Sequence, residues 1–299
     1  MHALTLTLTC QPGPPSLRAP VVSSGSPSPI LVIALFCLSL LCAGSPRVAS
    51  AGEGIYEINQ TCAVVTGCLP GDAPGFPVTL DLSGSYRLTS DLVPAGADGL
   101  VLAAPSISLD LSGFSIRGPG SCSGSSGTNL SCSGNAGNGV SVPLGLGFGV
   151  TARIRGGTVS GFANGLSLSF TQMAVVEDMI VTECSSNGIV SSSGRIANVV
   201  VRRNGAIGIS LPGSLGDFVL RDSDVSQNGL DGVRAGGRTG IMRGNVFSRN
   251  GGWGLFSEFL PGLPSNQPGY AENSFSQNSL GSARGGTQVG GNLCSPACP

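Results

Sequence analysis

Asn204-Gly205-Ala206-Ile207-Gly208-Ile209, Asn228-Gly229-Leu230-Asp231-Gly232-Val233 and Asn250-Gly251-Gly252-Trp253-Gly254-Leu255 are three copies of one phrase, Asn-Gly followed by small and aliphatic residues. Earlier copies stand at Asn138-Gly139-Val140, Asn164-Gly165-Leu166 and Asn187-Gly188-Ile189, and a degenerate one at Asn278-Ser279-Leu280. Successive asparagines are 26, 23, 17, 24, 22 and 28 residues apart. An apolar residue three positions before the asparagine (Val201, Val225, Phe247, Phe275) marks the same phase, and Val159 and Val181 take that place in the earlier coils. Self-similarity at this period is the mark of a stacked solenoid.

Each repeat holds short runs of alternating apolar residues, such as Ile196, Val199, Val201 and Phe218, Leu220, with the period of two that strands require. Regularly placed leucines and helical periodicity are missing, so a leucine-rich repeat is excluded. The reading is an all-β chain, a right-handed parallel β-helix. Its stacked coils pair about 4.8 Å apart with hydrogen bonds running along the axis. Asn and Gly at a fixed offset are expected to supply left-handed backbone at a tight corner. There Asn204, Asn228, Asn250 and Asn278 would superpose and hydrogen-bond up the stack as a structural ladder, because buried amides must find partners.

Composition agrees. The 48 glycines among 299 residues and the charged fraction of 10% would suit a helical protein poorly, while a hydrophobic fraction of 40% can bury a core. A net charge of −1 carries no basic footprint and argues against nucleic acid as a partner. All 15 cationic residues apart from histidine are Arg; none is Lys.

Residues 1–51 read as a signal segment. The apolar run Ile30 to Leu41 is too short to span a bilayer, and Ala49-Ser50-Ala51 has the pattern of a signal-peptidase site, so the mature chain is expected to start at Gly52 with no membrane span. An uncleaved anchor is the competing reading. Met1 to Pro29 carries Arg18 as its one Lys or Arg, poor for a signal n-region, which a true start codon further along would explain. Export leaves seven cysteines, six in close pairs: Cys62/Cys68, Cys122/Cys132 and Cys294/Cys298. Local pairs in a secreted, periplasmic or cell-envelope protein read as disulfides; zinc competes, but no histidine supports it. Cys184 is left over as a buried structural thiol.

The expected organisation is an N-terminal cap over 52–78, coils over 79–290 and a cysteine tail over 291–299. Two insertions, Gly118 to Gly137 around Cys122/Cys132 and Glu258 to Gly269 with Pro261, Pro264 and Pro268, read as loops projecting from one side, where recognition is usually found.

Leu109-Asp110-Leu111-Ser112-Gly113-Phe114-Ser115-Ile116 and Arg155-Gly156-Gly157-Thr158-Val159-Ser160-Gly161-Phe162 resemble bacterial exported right-handed parallel β-helix repeat proteins, of the pectin-lyase-like fold. The resemblance runs from about Gly54 to the last cysteine pair. It implies the fold; because polysaccharide lyases, hydrolases, epimerases, tailspikes and adhesins share that fold, it implies no single activity.

The one histidine, His2, leaves with the signal, which removes Ser-His-Asp, Cys-His and histidine-based metal chemistry. Without Lys there is no Schiff-base nucleophile. Two acid–base options survive: hydrolysis by two or three carboxylates clustered across neighbouring coils, or, as the resemblance implies, a lyase in which carboxylates hold calcium and an Arg or Lys abstracts a proton. Aligning coils on Val181, Val201, Val225 and Phe247 puts Asp178, Asn198, Asp222 and Gly244 in one column. Glu177, Ala197, Arg221 and Arg243 form the column beside it. Asp178 and Asp222 are then about 10 Å apart, with Arg221 and Arg243 alongside, a face that could hold calcium or an acidic sugar. The competing reading is a solvated ladder of ion pairs, as in the column Glu183, Arg203, Gln227, Arg249, Gln277. Trp253, with Phe256, could stack on a sugar or simply cover the core. Three functions stay open: a non-catalytic scaffold binding a polysaccharide or cell-surface glycan, a polysaccharide lyase or glycoside hydrolase acting on an acidic glycan, and a structural spacer. No cofactor other than calcium is implied.

Overall fold

The computed structural model describes residues 54–134, 136–146, 149–212, 216–236, 239–258, 267–295 and 298. The expected signal segment (1–51) and most of the proline-bearing insertion (259–266) lie outside the described residues. Among those described, the chain is a parallel β-solenoid of about nine turns: one sheet of nine strands, a second of 16 strands, and a two-stranded hairpin.

A coil has three strands in sequence, well seen in Phe218–Arg221, Asp224–Ser226 and Val233–Gly236, which form its first, second and third sides. The first and second sides stack into the larger sheet and the third side into the nine-stranded one. Register follows the apolar phase of the sequence: Val159 pairs with Val181, Val181 with Val201, Val201 with Val225, Val225 with Phe247 and Phe247 with Phe275. All six are at most 1% exposed, and Phe247 stacks on Phe275 with ring centroids 5.0 Å apart. Buried aliphatic columns of this kind, one per side, are the core. Tyr56–Ile58 already pairs with Gly84–Leu88, and Leu293–Ser295 with Ser274–Ser276, so both flanking segments join the larger sheet.

The two corners of the larger sheet are made by left-handed residues. Between the first and second sides stand Asp178, Asn198, Asp222, Gly244 and Glu272, with φ of 56°, 54°, 52°, 69° and 57°. After the second side stand Glu183, Arg203, Gln227, Arg249 and Gln277, at 55–58°. This differs from the sequence expectation: the residue before Asn204, Asn228, Asn250 and Asn278, and not the Asn-Gly pair, takes the left-handed conformation.

The asparagines face inward instead. Asn204 donates through Nδ2 to Oδ1 of Asn228 at 3.0 Å, Asn228 to Asn250 at 3.0 Å, and Asn250 to Asn278 at 2.9 Å. Each side-chain oxygen also accepts the preceding coil's backbone N–H at 3.1 Å. The glycines are needed for closeness: a Cβ on Gly229 would lie 2.1 Å from the Gly205 carbonyl oxygen, and one on Gly251 2.0 Å from that of Gly229.

The earlier asparagines belong to another column. Asn164 donates to Asn138 at 3.0 Å and Asn187 to Asn164 at 3.2 Å, while Asn138 ends the run on the acceptor-only carboxylate of Asp98. In the next coil Ile207 takes the place of Asn187 and donates its N–H to the Asn187 side chain. The step of 17 is therefore a change of column and not a short coil. A third ladder, Asn245 to Asn273 to Asn292 with bonds of 2.9 and 3.1 Å, lines the first corner.

The first insertion does not project. Its hairpin, Ser121–Ser123 with Ser131–Ser133, is closed by the Cys122–Cys132 disulfide and lies against the second corner. Arg203 donates to the carbonyls of Cys122 and Gly124, both at 2.8 Å, and a Cβ on Gly127 would come within 3.2 Å of Gly251. The hairpin thus runs across the glycine column as a strap. Cys62 is bonded to Cys68, Cys294 pairs with Cys298, and Cys184 is free and buried. Among the described residues no helix is long and apolar enough to cross a membrane.

Candidate functional site

On the outward face of the first side, charges alternate up the stack. Glu57 pairs in register with Arg87, Arg87 with Asp110, Asp110 with Arg155 and Arg155 with Glu177. Arg87 meets Glu57, Arg155 meets Asp110 at 2.7 Å, and Glu177 receives Arg153 at 2.7 Å. Burial pushes the Asp110 carboxyl up, but the Ser112 N–H and the Arg155 guanidinium outweigh it and hold Asp110 below its ordinary value. Up to this coil the face is the solvated ion-pair ladder of the competing reading.

The alternation stops at Ala197. Beyond it Arg221 pairs in register with Arg243, two like charges on adjacent strands. Beside them, in the neighbouring outward column, Val219 pairs with Ile241. Arg221 reaches Asp222 at 3.7 Å, with the two side chains 45% and 63% exposed. Arg243 is held by both oxygens of Glu272, at 2.6 and 2.7 Å. That pairing raises the Arg243 pKa and lowers that of Glu272. These residues surround a shallow hollow of about 440 Å³ that includes Gly244.

The four sequence candidates are thus only partly brought together. Arg221, Arg243 and Asp222 share the hollow. Asp178 lies two coils away, where it accepts a hydrogen bond from the side-chain amide of Asn198. Asp178 and Asp222 do not converge, and among the described residues no three His, Cys, Asp or Glu gather at metal-binding distance. Sequence reasoning missed Glu272; carrying the Asp178–Asn198–Asp222–Gly244 column one coil further, on the Phe247–Phe275 phase, finds it.

Trp253 and Phe256 do not make one platform. Trp253 is half-buried at the start of the third-side strand Trp253–Glu258, its ring lying over Gly281, where a Cβ would approach within 2.7 Å. Its backbone N–H donates to Asp231, a carboxylate 4% exposed that also takes two bonds from Arg234. Phe256 faces outward on the third side between Arg234 and Arg284, whose guanidinium carbons lie 5.2 and 5.5 Å from its ring centre.

No protein-family model matches the chain, and no curated protein matches it. A solved structure that does match is the enzymatically active domain of bacteriophage CBA120 tailspike protein 2, with 17% sequence identity and a TM-score of 0.44. The match covers 71% of this chain and 40% of that one, so the chain spans well under half of the tailspike domain. A likeness this distant bears on neither activity nor ligand.

Proposed function

We propose that the protein is an exported, non-catalytic scaffold that binds an acidic glycan on its first side through Arg221 and Arg243. The observation that carries this reading is the register pair Arg221–Arg243, placed where the ion-pair ladder ends and beside the apolar pair Val219–Ile241. Two guanidinium groups one coil apart, about 4.8 Å, suit carboxylate or sulfate groups, which they bind with charge-assisted hydrogen bonds. Val219 and Ile241 offer apolar surface to the face of a sugar ring. The disulfide-closed loops suit an oxidising compartment.

The cleavage reading draws on the same hollow, where Asp222 and Glu272 flank Gly244. Arg243 donates to both oxygens of Glu272, which engages that carboxylate as an ion-pair partner and supports the binding reading. A glycan array with wild-type protein and the double variant Arg221→Ala/Arg243→Ala tests this. Binding confined to uronate-bearing or sulfated glycans, weakened about tenfold or more in the variant, is expected from the loss of charged hydrogen bonds. Binding to neutral glycans that the variant retains would overturn the reading.

A further inference from the structure

The first corner is a ridge of side chains, and Gly244 is a break in it. Asp178, Asn198, Asp222 and Glu272 all project from left-handed positions of this corner and are exposed, whereas Gly244 has nothing to project. Its neighbours act oppositely on the break: Glu272 is drawn over the first side by Arg243, while the exposed Asp222 side chain leans into it, its Oδ1 2.8 Å from where a Gly244 Cβ would be. Beyond the break lies a second hollow of about 420 Å³, on the second side, lined by Asn245, Val246, Ser274 and Leu293. Both hollows include Gly244 and Glu272, so they meet at the break.

The second hollow differs in chemistry. Val246 and Leu293 are 42% and 76% exposed, and none of its lining residues is cationic. One side of the ridge thus offers paired arginines and the other apolar surface with amide and hydroxyl groups, with the Arg243-bound Glu272 bordering both.

We infer that Gly244 is a notch through which an internal stretch of a linear anionic polysaccharide crosses from the first side to the second, at right angles to the coil axis. This rests on the acidic-glycan reading above and adds to it the ligand's form: a chain that spans both hollows, as opposed to a single terminal sugar. An anionic group sits at Arg221 and Arg243, and a following ring lies on Val246 and Leu293. Gly244 is then a specificity-determining position, because any side chain there closes the passage.

The sequence supplies a closing residue that the backbone accepts, since Asn198 holds a φ of 54° in the same column. The experiment compares wild type with Gly244→Asn, Leu293→Ser and Arg221→Ala/Arg243→Ala. Each is titrated with alginate and heparin fragments of graded length, from one sugar residue upward, after urea melts establish that the variants fold. Wild-type affinity is expected to rise with fragment length. Gly244→Asn should remove that gain, about tenfold for the longest fragments. Leu293→Ser, at an exposed position, should weaken the long fragments alone. If the arginine variant loses binding while Gly244→Asn matches wild type at every length, the notch is wrong and the acidic-glycan reading stands. If no fragment binds wild type, both fall.

Discussion

Asn204 accepts the backbone N–H of Cys184 through its side-chain oxygen at 3.1 Å, so the cysteine occupies the coil position at which the next coils carry asparagine. Cys184 is where the inner ladder ends. Its thiol needs no amide partner, and burial pushes its pKa up to about 12 from an ordinary 9.0. The native protein is expected to resist thiol alkylation at pH 8 and to react with one equivalent once unfolded. Because the folded pKa is raised, the unfolded state ionises first as pH rises. Stability should therefore fall between about pH 9 and about pH 12 by more in wild type than in Cys184→Ala. Rapid labelling of the native thiol would contradict this.

Asn228 has every polar atom of its amide engaged. It donates to Asn250 and the Val201 carbonyl and accepts from both the backbone and the side chain of Asn204. Asn228→Ala should lower stability by about 1–3 kcal/mol, the cost of leaving buried partners unmade. Wild-type urea stability for this variant would remove the ladder as a source of stability.

Gly229→Ala should be more damaging than its size suggests. The new Cβ would meet the Gly205 carbonyl oxygen at 2.1 Å, and backbone on backbone cannot yield without parting the coils. A loss of about 1–3 kcal/mol or more is expected from overpacking. Gly145→Ala, where no atom lies within 4 Å of the added carbon and φ is ordinary, should change stability little. The two urea midpoints compared directly are the check; equal shifts would contradict the packing argument.

Glu272 restrains Arg243. Its carboxyl, held low by that arginine, stays ionised and paired through its ordinary titration range, and releases Arg243 only as pH falls through the lowered value. Glu272→Gln should therefore strengthen binding of a sulfated glycan at neutral pH, and wild type should approach the variant as the solution is acidified. Weaker binding in Glu272→Gln would show that the carboxylate itself contacts the ligand.

The fold was legible because apolar phase and coil register are one pattern: Val181, Val201, Val225 and Phe247 pair as their spacing predicts. The corners were less so. Asn-Gly reads as a turn from local conformational preference, yet the left-handed residues here include Arg203, Gln227 and Arg249, which stacking holds where intrinsic preference would not. The spacing of 17 concealed two ladders, because sequence records only that an asparagine occurs and not which side of the coil it faces. The Cys122–Cys132 hairpin gave no sign of its seat on Gly205 and Gly251, since docking depends on contacts far apart in the chain. At the candidate site the column of Asp222 and the arginines was readable, while Glu272 and the gap at Gly244 acquire meaning only when the side chains are placed.

The Arg221–Arg243 face is expected to bind an acidic glycan without cleaving it. Prolonged incubation of the purified protein with uronate polymers that it binds, with and without calcium, followed by product analysis, tests this. Polymer recovered at its original length, bound by wild type and released by Arg221→Ala/Arg243→Ala, is the predicted result. Unsaturated uronides or new reducing ends that appear with wild type and disappear with Asp222→Ala would contradict it and make the protein a lyase or hydrolase.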